Sequence, residues 1–142
     1  MAIQIAVGSR ESVVSRKMQK QRNGYKDLIV WQKSVALVVL VYAFTDDFPK
    51  EEMYGLSSQM KRAGVSIPSN IAEGSRRGTT KDFKQFLSIA YGSAAELETQ
   101  LEIAKRLGFG KKEKGAQVAV LLEEVLRMLN GMLKSESVVG SR

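Results

Sequence analysis

From Tyr25 to Phe48 the chain is apolar around nearly the whole circumference of a helix, with "VALVVLVYAF" (Val35–Phe44) at its centre. The run with its flanks is too long for a strand, so it predicts a first helix over Tyr25–Phe48. "TDDFP" closes it, because the residue before a proline is pushed out of the α region. Apolar positions then recur at Leu56, Met60, Ala63/Gly64, Ile67 and Ile71. This spacing of three and four runs through Pro68 without a change of phase. It predicts a second helix from near Pro49 to about Ser75, kinked at Gly64–Pro68 rather than ended there. Proline removes one amide donor and crowds the carbonyl of Gly64. Ser66, Ser69 and Asn70 are placed to bond the groups so freed. Pro49 suits a first turn, and Glu51 and Glu52 suit the positive end of the helix dipole.

After "GSRRG" (Gly74–Gly78), Thr79 and Asp82 form a variant capping box. A seam of Phe83, Leu87, Ala90, Ala94, Leu97, Leu101 and Ala104 follows, alternating four and three. Phe86, Ile89 and Ile103 add a flanking stripe, which predicts contacts on more than one side of this third helix. Gly92 in its interior costs about 1 kcal/mol relative to alanine, and a close crossing with Ala63–Gly64 is expected to offset that. Gly108 ends the helix, with Lys105 and Arg106 in the last turn. "FGKKEKG" is then a basic loop. A fourth helix is expected from about Ala116 to Leu133, with Val118, Leu122, Val125/Leu126, Leu129 and Leu133 inward. Four amphipathic helices with short connections predict an all-α, antiparallel up-down four-helix bundle. Its expected limits are residues 25–134. Residues 1–24 are expected to form a flexible basic arm, with "IQIAV" the only strand candidate, and residues 135–142 a flexible tail.

Composition narrows the chemistry. The 142 residues contain no cysteine and no histidine. That excludes disulfides, thiolate metal sites, histidine ligands, and every histidine-dependent base or triad. Net charge is +7, of which residues 1–24 carry +4. A basic balance favours polyanionic partners. The longest apolar run is shorter than the roughly 20 residues a membrane span needs, so no membrane association is expected, and a cytoplasmic location is.

The carboxylates Glu73, Glu96, Glu98 and Glu102 lack the histidines of a bundle di-metal site. Glu98 and Glu102 are expected to pair with Arg106 and Lys105. No metal or other cofactor is predicted. "GSRRG" lacks the preceding strand and the Gly-Lys-Ser/Thr ending of a phosphate-binding loop. The start of the third helix nevertheless offers free amides beside Arg76, Arg77, Lys81 and Lys84, a plausible contact for a nucleic-acid backbone. Lys61, Arg62, Lys111, Lys112 and Lys114 complete the candidate nucleic-acid-binding set. The aromatic residues fall mostly on apolar stripes and are assigned to the core.

"DLIVWQKSVAL", "YGLSSQMKRAGVSIPSNIAEGSRRG" and "FLSIAYGSAAELETQLEIAKRLGF" resemble the four-helix-bundle family encoded in intervening sequences of bacterial 23S ribosomal RNA genes. The resemblance covers Tyr25 to about Lys134. It rests most specifically on "SIPSNIAEG" and "ELETQLEIA", with Trp31, Gln59, Arg62, Pro68, Asn70, Glu73, Gly74, Glu96 and Glu98 on the family motif. It implies a basic homopentamer without enzymatic activity that associates with RNA. In shape the family is also similar to the accessory protein of diversity-generating retroelements, which binds a reverse transcriptase and nucleic acid. The loop "GFGKKEKG" departs from the family by being more basic. Outside the resemblance, "IQIAVGSRES" is similar to the opening strand of porphobilinogen deaminase, whose cofactor needs a cysteine that this chain lacks. "ESVV" and "VGSR" each occur in both tails.

Two functions follow as expectations. The first is a non-enzymatic, oligomeric RNA-associated protein. The second is an assembly or adaptor scaffold that binds another protein. Self-association is expected on either, because the first and third helices carry more apolar surface than one small bundle buries.

Overall fold

The computed structural model describes residues 24–135. The expected arm, its "IQIAV" strand and the repeated tail motifs lie almost wholly outside these residues. A 3-10 turn, Gly24–Asp27, leads into α1 (Ile29–Thr45). A second 3-10 turn, Lys50–Glu52, leads into α2 (Leu56–Arg76), followed by α3 (Thr80–Leu107) and α4 (Lys112–Lys134). No strand occurs among the described residues. Each helix packs on two others: α1 and α3 both lie against α2 and α4.

Cross-helix pairs show the up-down course. Lys33, early in α1, meets Glu124 in the second half of α4, while Lys114 at the start of α4 meets Asp47 just beyond α1. On α2 and α3, Ser66 meets Ser93 and Gly74 meets Phe86. One end of the bundle therefore gathers the start of α1, the α2–α3 turn and the end of α4. The other gathers the α1–α2 and α3–α4 connections.

The core contains most of the expected positions. Leu37, Met60, Ile67, Ile71, Leu87, Leu97, Leu122 and Leu129 are fully or almost fully buried, and Ala90, Ala94 and Ala104 let the helices approach. The α3 seam holds, although Phe83 and Leu101 are only half-buried. Gln100 was not anticipated inside, yet it is 5% exposed. Its Nε2 donates to Glu96 at 3.4 Å and its Oε1 has no partner.

Several boundaries differ from expectation. The first helix starts at Ile29 rather than Tyr25, because the amide of Leu28 closes a 3-10 turn on the Tyr25 carbonyl and Leu28 itself is extended. It ends at Thr45, whose hydroxyl donates back to the Val41 carbonyl. The second helix starts at Leu56, not Pro49. Pro49 heads the separate 3-10 turn, and Gly55 (φ −111°, ψ −118°) breaks the path between them. Glu52 still serves the new helix, its Oε1 accepting from the Leu56 amide at 3.0 Å. The fourth helix starts at Lys112 rather than Ala116, so the expected basic loop contracts to Gly108–Lys111. Gly110 (φ 79°) turns the chain beside the Phe44 ring, where no side chain would fit.

At Pro68 the helix is continuous, as the unbroken phase predicts. Asn70 Nδ2 donates to the Ser66 carbonyl (2.8 Å) and to Ser66 Oγ (2.9 Å), and Ser66 Oγ lies 2.7 Å from Ser93 Oγ on α3. The side chains around the proline thus tie α2 to α3. The expected crossing of Gly92 with Ala63–Gly64 does not occur. Gly92 is exposed with nothing within 4 Å of where a Cβ would lie, and Gly64 faces Val38 and Val41 of α1. A tight α2–α3 approach falls at Gly74 instead, where an added Cβ would meet Phe86 and Phe83.

Candidate nucleic-acid interface

The α2–α3 turn is built by Arg77 as the last αR residue, Gly78 at φ 90°, and Thr79 as N-cap. A left-handed φ favours glycine. Thr79 Oγ1 accepts from the Asp82 amide at 3.1 Å, so the expected cap forms. This short connection holds two arginines at the start of α3, where the helix dipole favours anions.

Neither arginine is simply solvated. The Arg76 guanidinium lies over the Tyr25 ring, 5.2 Å from its centroid, and Tyr25 rests edge-on against Trp31. The Arg77 guanidinium lies over the Phe86 ring at 4.9 Å, and its Nη2 donates to Glu73 Oε2 at 3.0 Å. A flat guanidinium on an aromatic face keeps N–H groups at its edges for hydrogen bonding. Both side chains are therefore held by their ring contacts, and Arg77 by Glu73 as well. Lys81 and Lys84, one turn into α3, line a shallow cleft with Thr80, Gln85, Ser88 and Leu133 of α4. Lys26 lies in the first 3-10 turn and Lys134 in the last turn of α4, at this same end. The acids here are few, and Arg77 already engages Glu73.

The nine candidates do not converge on one site. Arg76, Arg77, Lys81 and Lys84 come together, while Lys61, Arg62, Lys111, Lys112 and Lys114 belong to the opposite half of the bundle. Arg62 and Arg76 are separated by about 21 Å of helix. Lys61 lies over the Tyr42 ring at 4.9 Å. Lys114 is a structural tie, donating to Asp47 Oδ2 at 3.0 Å and to the Ala43 carbonyl at 3.2 Å. Lys111 and Lys112 begin α4 and are exposed. That end also carries Asp46, Asp47, Glu51, Glu52, Glu98, Glu102 and Glu113, so its cations are largely balanced. The α2–α3 turn is therefore the more positive end of the bundle.

Tyr25 and Phe86, the rings under the arginines, belong to this site although their types and spacing suggest core. Phe86 is half-buried between α2 and the guanidinium, so both descriptions apply to it. Among the described residues no group of three or more His, Cys, Asp or Glu is placed to hold a metal ion. Glu102 pairs with Arg106 at 2.9 Å, as expected, and that hydrogen bond lowers its pKa. No ion pair forms at Glu98 among the described residues. Lys33 likewise lowers the pKa of Glu124, chiefly through its 2.9 Å hydrogen bond. No described helix is long and apolar enough to cross a membrane.

Residues 26–131 match the family described as 23S rRNA-intervening sequence protein. The chain is also similar to a crystal structure from Bacteroides thetaiotaomicron, titled a protein with unknown function from the S23 ribosomal protein family. The two are 27% identical with a TM-score of 0.67, over 75% of this chain and 100% of that one. No curated protein matches.

Proposed function

We propose, for a chain that belongs to the 23S rRNA-intervening sequence protein family, the role of an oligomeric, cytoplasmic RNA-associated protein that performs no catalysis. The observation that carries this reading is the pair of ring-stacked arginines, Arg76 over Tyr25 and Arg77 over Phe86, at the start of α3 beside Lys81 and Lys84. Phosphate is the ligand that a flat, pre-oriented guanidinium and a helix N-terminus both favour. Such contacts hold a nucleic-acid backbone and carry little sequence information, so binding is electrostatic and weakly selective.

Self-association completes the proposal. The outward side of α1 presents Ile29, Val39 and Tyr42, 53%, 63% and 47% exposed, with Ala36 and Ala43 between them. An apolar face of this kind suits a second copy of the chain, and a pentameric ring is the form implied by the family resemblance. The same face supports a second reading, in which the protein is an adaptor and α1 docks a different protein.

The deciding test is whether protein purified at low salt carries nucleic acid. Its absorbance ratio at 260 and 280 nm is compared before and after ribonuclease and a high-salt wash. The RNA reading expects a raised ratio that falls on treatment, and weaker RNA binding by Arg76→Glu/Arg77→Glu with the helical signal intact. A nucleic-acid-free protein that also binds no added RNA would overturn it in favour of the adaptor.

A further inference from the structure

We infer that the cavity between α3 and α4, at the end of the bundle opposite the arginine turn, binds a small amphipathic anion: an apolar body that carries one anionic head, as a fatty acid does. This site is separate from the arginine turn and independent of the RNA reading above.

The cavity has a volume of about 570 Å³, within the roughly 300–1,000 Å³ of small-molecule sites. Its apolar lining comes from Phe44 of α1, Leu101 of α3, Phe109 of the connecting turn, and Ala116 and Ala119 of α4. Side-chain size keeps it open. Here α4 contributes Gly115, Ala116 and Ala119, which are too small to fill the space beside Leu101. The helix start is already seated on an aromatic cluster. A Cβ on Gly115 would lie 3.1 Å from the Phe44 ring, and Gly110 meets the same ring. Phe44 rests edge-on against Phe48, and Phe48 against Phe109. Ala116 and Ala119 therefore stay exposed instead of packing on α3.

The charges on its rim give the cavity a direction. Lys105, Lys111 and Lys112 line it at the α3–α4 turn and are exposed. None of the three has an ion pair among the described residues. The positive end of the α4 dipole adds to them. Of the acids at this end of the bundle, only Glu98 and Glu102 line the cavity. Glu102 is engaged by Arg106 at 2.9 Å, and Glu98 lies about 10 Å along α3 from Lys105. An anionic group is thus favoured at the turn and disfavoured at the far end. A single anionic head among the lysines, with an apolar body over Leu101, Ala116 and Phe44, satisfies both. A nucleic-acid strand does not, because its next phosphates would meet apolar walls and then Glu98.

The test titrates the full-length chain with anilinonaphthalene sulfonate, a fluorescent aromatic anion, and competes it with decanoate or decyltrimethylammonium below their micelle concentrations. The probe is expected to bind saturably. Decanoate should displace it, less well as KCl is added, and the cation with the same chain should not. Two variants locate the site, with circular dichroism to establish that each remains helical. A116L/A119L fills the cavity from two exposed positions, leaves the core untouched, and should lose both ligands. K105Q/K111Q/K112Q keeps the cavity and should weaken decanoate by about tenfold. A parent that binds neither probe nor decanoate overturns the inference. So does A116L/A119L with parental affinity, which places the binding elsewhere. Equal displacement by decyltrimethylammonium, or a lysine variant with parental affinity for decanoate, overturns the anionic class. If light scattering shows that A116L/A119L lowers the mass of the parent assembly, the cavity is a contact with a second copy, and that too overturns the small-ligand site.

Discussion

Gly74 of α2 lies so close to Phe86 of α3 that a Cβ added to the glycine would sit 2.6 Å from the Phe86 Cβ and 3.3 Å from the Phe83 carbonyl oxygen. Both obstacles are backbone or the first atom of a side chain, so neither swings aside. Gly74→Ala is therefore expected to destabilise the bundle by about 1–3 kcal/mol through overpacking. Gly92 is the contrast: it is equally helical but open, and Gly92→Ala is expected to stabilise the isolated subunit by about 0.5–1 kcal/mol. Urea denaturation of the two variants measures both. Equal effects of the same sign would mean that Gly74 is not where α2 and α3 crowd each other.

The side-chain network around Pro68 yields a second expectation. Asn70 donates twice to Ser66, and Ser66 meets Ser93 across the helix pair. Asn70→Ala and Ser93→Ala are each expected to cost about 1 kcal/mol. Because both act through Ser66, the double variant should cost less or more than the sum. Strict additivity in a thermal or urea series would show that the three residues do not act as a unit.

These two cases mark what the sequence made legible. The phase of Leu56, Met60, Ile67 and Ile71 is enough to carry a helix through Pro68, since periodicity reports which face is buried. It does not report which glycine is crowded. Gly92, Gly64 and Gly74 look alike in a string, and only the crossing geometry separates them. Helix starts failed for a related reason. Pro49 with Glu51 and Glu52 has the chemistry of a first turn and does form one, but it is a 3-10 turn that Gly55 cuts off. At the candidate interface the cations themselves were plain, and the capped turn was too. Tyr25 under Arg76 was not, because the two are 51 positions apart and no spacing rule links them.

A third expectation concerns pH. Glu124 accepts from Lys33 at 2.9 Å, which holds its pKa below the ordinary 4.5 in the folded chain. A depressed folded-state pKa adds stability that is present above the unfolded value and is lost as pH falls through the folded one. Glu124→Gln should therefore melt below the parent at pH 7, and the gap should close as both are taken below about pH 4. Both side chains are partly exposed, so added salt should narrow the gap at pH 7 as well. A gap that persists unchanged at pH 3 would assign the loss to packing instead of charge.

The last expectation concerns Val39. It is 63% exposed on the outward side of α1, flanked by Ala36, Ala43 and Tyr42. Lys33, a charged residue of this helix, is turned to Glu124 on α4. For a monomer, Val39→Glu is a surface substitution that touches nothing, and such changes stay within about 0.5 kcal/mol. For an oligomer that buries this side of α1, the same change places an unpaired carboxylate in an apolar contact, which costs several kcal/mol. The two cases are far enough apart for one substitution to separate them. Light scattering of the parent at micromolar concentration is expected to return a multiple of the single-chain mass, with a melting temperature that rises with concentration as mass action requires. Val39→Glu is expected to shift the mass toward a single chain and to remove the concentration dependence, with the helical signal retained because the core is untouched. Val120, 66% exposed on α4, serves as the control, since Val120→Glu lies off the α1 face. A parent of single-chain mass would end the oligomer proposal. An oligomer broken by Val120→Glu and not by Val39→Glu would keep self-association but move its surface from α1 to α4.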